Sequence, residues 1–354
     1  MDRDSIQQSL EKLLSLPIDD GKLLVMTHDN PDPDALASAA AMKLLFESRR
    51  NVRATVGYSG IIGRAENRAM VRLLGLPIHH LTRLNLDEYR HIALMDAQPH
   101  TGNTALPETR RVNIVVDHHP LREATKESEF YQVSDDLGAS ATLMTHYLIT
   151  AGVEIPTDLA TALLYGIRSE TQDLGREVHP LDLEAYHHLV PLSDAAKLAA
   201  IAKPSLSRQY YAQLGVALDA ILAGPTTVVC PVGNINDPDF VPEMADFTVR
   251  MEGVRWSLAY GYYDLKMYLS MRSNDPEASA GELMQAVLEG VGKGGGHGMR
   301  AGGNIDLSSG SRSRLDIERL ITERFLREIG AEGERLEPLK PEARRSVATH
   351  AEES

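Results

Sequence analysis

Cysteine is nearly absent from this 354-residue chain, and the single Cys230 rules out an internal disulfide and any zinc site built from thiolates. It sits in Thr227-Val228-Val229-Cys230, a run that reads as a buried strand. Long apolar runs are also missing. No stretch approaches the roughly 18 uninterrupted apolar residues of a membrane helix, so a membrane-spanning chain is not expected. The opening Met1 to Leu10 carries Asp2, Arg3 and Asp4 where a secretory signal would be basic and then apolar, which points to a cytoplasmic protein. Positive charge is scarce: 36 Lys and Arg against 50 Asp and Glu leave a net charge of −14. Long nucleic acid is held through clustered Lys and Arg, so a coating or tracking role is disfavoured. A short phosphate-bearing ligand is not, because bound divalent cations can supply local positive charge.

What is present is 43% apolar residues, enough for cores, in a chain longer than one core usually organises. The first half alternates short β-type runs with helical ones, the pattern of a parallel sheet covered by helices. Strands are expected at Leu23 to Thr27, Val52 to Val56, His91 to Met95 and Val112 to Val116, with helices at Asp34 to Arg49 and Glu66 to Leu74. A helical stretch from Ala139 to Arg168 follows. The Ala-rich segment between Pro191 and Ser207, with its two prolines, reads as a connection. Beyond it come a strand at Thr226 to Pro231, a hairpin of Trp256 to Gly261 and Leu265 to Met271, a helix at Ala280 to Gly290, a glycine loop and a last helix at Ser313 to Ile329. The domains expected are thus 1–190, a linker helix at 191–215, 216–330, and a charged, partly disordered tail at 331–354. No internal repeat is visible.

Three of the apolar strands stop just before ligand-type side chains. His28-Asp29-Asn30-Pro31-Asp32-Pro33-Asp34 follows the first, Asp96 follows another, and Asp117-His118-His119 follows Val112 to Val116 without a gap. Open α/β sheets bind ligands at strand C-terminal ends. Carboxylates with imidazoles suit divalent manganese, iron or cobalt. The plainer reading of the first segment is a polar loop with Asp34 as a helix cap. His79-His80 and His187-His188 show that adjacent histidines also occur by chance, and these read as surface pairs.

The ordered set of motifs resembles the DHH phosphoesterase superfamily over about residues 20–330. Asp117-His118-His119 is similar to its naming motif, the segment from His28 to Asp34 to its first, and Asp96 to its second. Gly294-Gly295-Gly296-His297 resembles the signature of the DHH-associated C-terminal domain. The resemblance implies a parallel-sheet catalytic domain with helices on both faces, a smaller α/β domain, and an active site in the cleft between them. It implies two divalent cations, manganese first, with magnesium or cobalt as alternatives. His28, Asp32 and Asp96 would hold one. Asp34, Asp96 and His118 would hold the other with an acid from the fourth motif. There Gly166-Ile167-Arg168-Ser169-Glu170-Thr171 departs from the family pattern by placing Glu170 where Asp is usual, and Asp173 is the alternative. His119 would face the scissile phosphate, with Asp117 orienting the histidines from behind. Gly294, Gly295, Gly296 and His297 would clamp substrate. Arg272 with Ser273 resembles another substrate position of the family and would contact phosphate, while Arg300, which interrupts the family's small residues, reads either as a surface charge or as a bidentate contact to a second phosphate.

The compact length and the glycine motif resemble oligoribonucleases that cleave very short RNA and also act on adenosine bisphosphate. A pyrophosphatase of the family is expected to carry a basic loop in place of the glycines. The runner-up is a cyclic or linear dinucleotide phosphodiesterase, and the contrasting class is a nucleotide-binding module that kept the fold and lost turnover. The expected partners are a short oligonucleotide or nucleotide, with no long nucleic acid and no membrane, and a homodimer is a candidate assembly.

Overall fold

Residues on β1 (Lys22–Thr27) alternate between two hydrophobic clusters, Leu23 and Val25 in one and Leu24 and Met26 in the other. A strand buried on both faces is the condition under which parallel sheets form. The computed structural model describes residues 2–18, 21–175, 178–308 and 313–339, and divides into Met1–Ser205 and Leu206–Ser354. In the first unit β1 is joined by β2 (Arg53–Tyr58), β3 (Ile78–His80), β4 (His91–Met95), β5 (Ile114–Asp117) and β6 (Phe130–Val133). All pair in parallel in the order β3-β2-β1-β4-β5-β6. Chain direction across the sheet reverses between β1 and β4, and a crevice forms at the carboxyl ends of strands at such a switch point.

Helices cover the two faces unequally. One face carries α1 (Arg3–Ser15), α2 (Pro33–Arg50), α3 (Ala65–Leu74), α4 (Ser140–Thr150), α5 (Thr157–Glu170), α6 (Pro180–Leu189) and Ile201 of α7 (Ala195–Ala202). The other is closed by Leu81, Leu84, Leu86 and Tyr89 of the β3–β4 connection, which contains two single 3-10 turns, Leu81–Arg83 and Leu86–Glu88. The stretch expected to be one long helical region is two helices, broken where Gly152 adopts a left-handed φ of 62° and Pro156 caps α5. Ala37, Ala39, Ala40 and Ala41 keep α2 thin where it packs. Gly166 of α5 approaches it so closely that a Cβ would lie 3.2 Å from the Asp34 Cα.

The second unit begins with α8 (Arg208–Ala220). Its sheet contains β7 (Leu222–Ala223), β8 (Thr227–Asn234), β9 (Trp256–Tyr263), β10 (Lys266–Ser273), β11 (Lys293–His297), β12 (Arg300–Asp306) and β13 (Glu337–Pro338). The order is β11-β12-β10-β9-β8-β7-β13, with β8 and β9 parallel and the other pairs antiparallel. Helices α10 (Ala280–Leu288) and α11 (Arg314–Glu328) fill one face, and α8 and α9 (Phe240–Thr248) fill the other. Cys230 is fully buried in β8.

The segment expected as a glycine loop is instead the edge strand β11, and packing explains its composition. A Cβ on Gly294 would lie 2.6 Å from Leu288 Cδ1, one on Gly296 would lie 2.2 Å from the Arg300 carbonyl oxygen, and one on Gly281 of α10 would lie 2.1 Å from the Gly296 carbonyl oxygen. Glycine lets α10 and β12 come this near. Of the tail, residues 340–354 lie outside the described residues, and β13 pairs with β7. No helix among the described residues is long and apolar enough to cross a membrane.

Candidate metal centre

The chain leaves β1 at Thr27 and turns through Asn30, at a left-handed φ of 55°, into Asp32, the N-cap of α2. His28 Nδ1 lies 2.8 Å from the Asp29 carbonyl oxygen. A carbonyl can only accept, so Nδ1 carries a hydrogen, which leaves Nε2 as the nitrogen at which this ring could hold a metal. That Nε2 is 3.8 Å from Asp32 Oδ2 and 3.6 Å from Asp96 Oδ2. Asp96, immediately after β4, is itself left-handed (φ 55°) and only 2% exposed. Its Oδ1 accepts from the Ser140 hydroxyl at 3.1 Å and lies 3.5 Å from His118 Nε2 and 3.7 Å from His119 Nδ1. One carboxylate therefore faces imidazoles brought from two strand ends.

Asp34, fully buried in the first turn of α2, serves a helix other than its own. It accepts the Ser140 and Ala141 N–H groups, both at 2.7 Å, at the start of α4, whose own N-cap Ala139 has no side chain able to do so. Its Oδ2 is 3.9 Å from His118 Nε2. His118 Nδ1 donates to the Leu137 carbonyl at 3.2 Å, and its buried Nε2 makes no hydrogen bond among the described residues. A buried ring nitrogen left without a hydrogen bond is costly, and a cation placed between it and the carboxylates would satisfy both.

The carboxylates carry the same message. Burial, and then the charges of Asp96, Asp32 and Glu170, push Asp34 well above the usual carboxylate range, and burial and Asp32 raise Asp96. Burial opposes protonation of His28, but Asp32 and Asp96 outweigh it and hold its pKa up to about 10. Among the described residues the ligand-type atoms gather in two groups, His28 with Asp32 and Asp96, and Asp96 with His118 and His119, the atoms of each lying within 4.8 Å of one another. Imidazole nitrogen and carboxylate oxygen around a shared Asp fit a pair of divalent cations.

Residues 22–167 match the model for the DHH family, N-terminal domain. That stretch is similar to the DHH N-terminal domain. Over 319 residues it is 34% identical to an uncharacterized protein of Methanocaldococcus jannaschii, an alignment covering 88% of this chain and 65% of that protein. It is 26% identical over 157 residues to a probable manganese-dependent inorganic pyrophosphatase of Archaeoglobus fulgidus, covering 42% of this chain and 48% of that one. The chain thus spans under two thirds of the first relative and about half of the second. In structure it is similar to an exopolyphosphatase-related protein from Bacteroides fragilis, with a TM-score of 0.72 at 13% identity, covering 92% of this chain and 96% of that one.

Within the matched stretch, His119 Nδ1 donates to Asp117 Oδ1 at 2.8 Å, and the same oxygen accepts the His118 N–H at 2.9 Å. His119 thereby turns Nε2 away from Asp117. Burial works against its proton, yet the Asp117 hydrogen bond and the Asp96 charge lift its pKa to about 9. Glu170 ends α5, and its charge reaches both Asp34 and His119. Asp173 is instead paired with Arg168 at 2.5 Å and is largely exposed.

Sequence reasoning overlooked the groups that hold the ligands. Gln98, buried at 2% exposure, donates to Asp117 Oδ2 at 2.6 Å and to the Pro120 carbonyl, and accepts from Arg122 N–H and the Thr125 hydroxyl. Its place two residues after Asp96 was the available signal. Ser140 was visible only as a helix-start residue.

The residues singled out in the second unit line the β10–β12–β11 edge of its sheet. Arg272 and Arg300 are register partners, as are Arg300 and His297, while the His297 side chain lies outside the described residues. Arg272 bonds Asp246 through Nε and the Ser270 hydroxyl through Nη1 at 2.8 Å. Ser273 donates to the Arg255 carbonyl. Gly295 differs from its neighbours in having space, with the Gln285 Nε2 at 3.7 Å the nearest atom to an added Cβ.

Proposed function

We propose that this chain is a divalent-metal-dependent phosphoesterase that hydrolyses very short RNA and also removes phosphate from adenosine bisphosphate. The observation carrying the metal reading is the buried His118 Nε2, without a hydrogen bond among the described residues and set among Asp34 and Asp96 carboxylates. His28, Asp32 and Asp96 would hold one cation, and Asp34, Asp96, His118 and Glu170 the other. Manganese is the expected ion, in keeping with the name of the A. fulgidus relative. Such cations, when bound, would neutralise developing charge on phosphoryl oxygens and lower the pKa of water so that hydroxide is available to attack phosphorus. Asp117 fixes the His119 ring, and the raised pKa keeps a proton available there for the departing oxygen.

The substrate class rests on different ground. A net charge of −14 disfavours long nucleic acid, and the second unit offers an edge strand with an open Gly295 beside the register partners Arg272 and Arg300. Backbone N–H groups on a glycine edge can approach phosphate closely, and arginine can bind it bidentately. The likeness to a probable pyrophosphatase favours a second reading, phosphoanhydride hydrolysis. A manganese-supplemented panel of dinucleotide RNA, adenosine bisphosphate, cyclic di-AMP, pyrophosphate and polyphosphate separates them. Fastest turnover of the dinucleotide supports the proposal, fastest turnover of pyrophosphate replaces it with the second reading, and a metal-free, inert protein removes both.

A further inference from the structure

Three ligand side chains of the candidate centre lean on one short piece of backbone. The Leu137 carbonyl accepts from His118 Nδ1, the Ser140 and Ala141 N–H groups bind Asp34, and the Ser140 hydroxyl binds Asp96. Whatever holds residues 137–142 therefore holds His118, Asp34 and Asp96 together.

What holds them is Asp182, a fully buried carboxylate on α6. Its Oδ2 accepts the Gly138 N–H at 2.9 Å and its Oδ1 accepts the Thr142 hydroxyl, so it pins both sides of the Ala139–Ala141 turn. Asp182 is itself fixed. It is the third residue of α6 and accepts the N–H of the N-cap His179 at 2.7 Å, while the His179 side chain accepts the Leu181 N–H at 3.2 Å, a reciprocal capping box. A further tie joins the same helices, His146 Nε2 of α4 to the Leu181 carbonyl at 3.0 Å. Burying a carboxylate is costly, and this one is matched by three donors.

We propose that Asp182 is a positioning residue for the cation pair, setting metal affinity through the 137–142 segment without being a ligand. The inference rests on the metal-site reading above. Outer partners of metal ligands fix the direction of lone pairs before a cation arrives, and their loss weakens binding by about 10–100-fold. Asp182 acts one covalent segment further out, so the lower end of that range is expected.

The test uses the full chain stripped with chelator, titrated with manganese by calorimetry, and unfolded thermally in EDTA to read the fold alone. Asp182→Asn keeps shape and one acceptor but turns an amide N–H toward a donor. It is expected to bind manganese about tenfold or more weakly than wild type. Thr142→Val, which removes a single hydroxyl, is expected to weaken binding in the same direction, and Thr142→Ser to restore it. This pair decides the matter should Asp182→Asn fail to fold. Wild-type manganese affinity in Thr142→Val and in a folded Asp182→Asn, even with a lowered midpoint in EDTA, assigns Asp182 a purely structural role and overturns the proposal. Absence of manganese binding by the wild-type chain overturns the metal centre itself, a distinguishable result.

Discussion

Replacing Asp96 by Asn should separate the cost of the metal site from its benefit. In the metal-free protein the Asp96 charge is unwelcome, since burial and Asp32 raise its pKa, and it in turn raises that of Asp34. Asparagine removes the charge, keeps an oxygen for the Ser140 hydroxyl, and tolerates the left-handed backbone at φ 55°. The melting midpoint in EDTA should therefore stay level or rise. With manganese the sign reverses. A ligand at a hundred times its Kd stabilises by about 2.7 kcal/mol, which for a unit of this size is roughly 5–11 °C. Asp96→Asn should lose that gain, together with hydrolysis by about 100-fold or more, the scale of removing one preorganised electrostatic group. Asp96→Ala adds the left-handed cost of about 1–2 kcal/mol and should melt lower even in EDTA. Thermal melts with and without manganese, paired with turnover, give the answer. A full manganese shift or wild-type turnover in Asp96→Asn would refute the shared-ligand geometry.

The remaining expectations concern proton linkage, second-unit glycines and the support of Asp117. His28 has a folded pKa of about 10 against 6.5 for the free side chain, so its proton stabilises the metal-free fold below about 6.5, and that contribution is lost as pH rises through about 10. A cation taking Nε2 must displace the proton, so manganese affinity should rise with pH over that window and calorimetry should show proton release; a pH-independent affinity contradicts the ligand role. Gly295→Ala has space and should leave the melting midpoint unchanged while raising KM, whereas Gly296→Ala meets the Arg300 carbonyl and should destabilise by about 1–3 kcal/mol. An unchanged KM in Gly295→Ala removes β11 from substrate binding. Gln98→Glu puts an oxygen where an N–H bonds Asp117, and should cost about 1–3 kcal/mol and lower kcat as His119 loses its hold. A wild-type melting midpoint and kcat show that Gln98 does not support this arrangement.

Much of the first unit was legible because parallel strands buried on both faces appear as unbroken apolar runs, and His91 to Met95 was read to the residue. The short, less apolar β6 was not seen, and neither were α6 and β12. Alternation gives no warning of an edge strand made of glycine, so β11 read as a loop. Its partner β12 carries Gly302 and Gly303 and was hidden in the same way.

By itself the sequence determined which side chains stand where strands end, because His28, Asp96 and Asp117 to His119 directly follow runs of apolar residues that have to be strands. It could not determine which strand ends are neighbours. Only the tertiary structure decided that β4 lies beside β1 and β5 beside β4, bringing Asp96 to 3.6 Å from His28 and 3.5 Å from His118. It also decided that Asp34 caps a helix more than a hundred residues away and that Asp182 holds that helix in place. Such links join buried polar groups across the fold, and no local periodicity records them, since they are set by where the backbone comes to rest rather than by which residues adjoin.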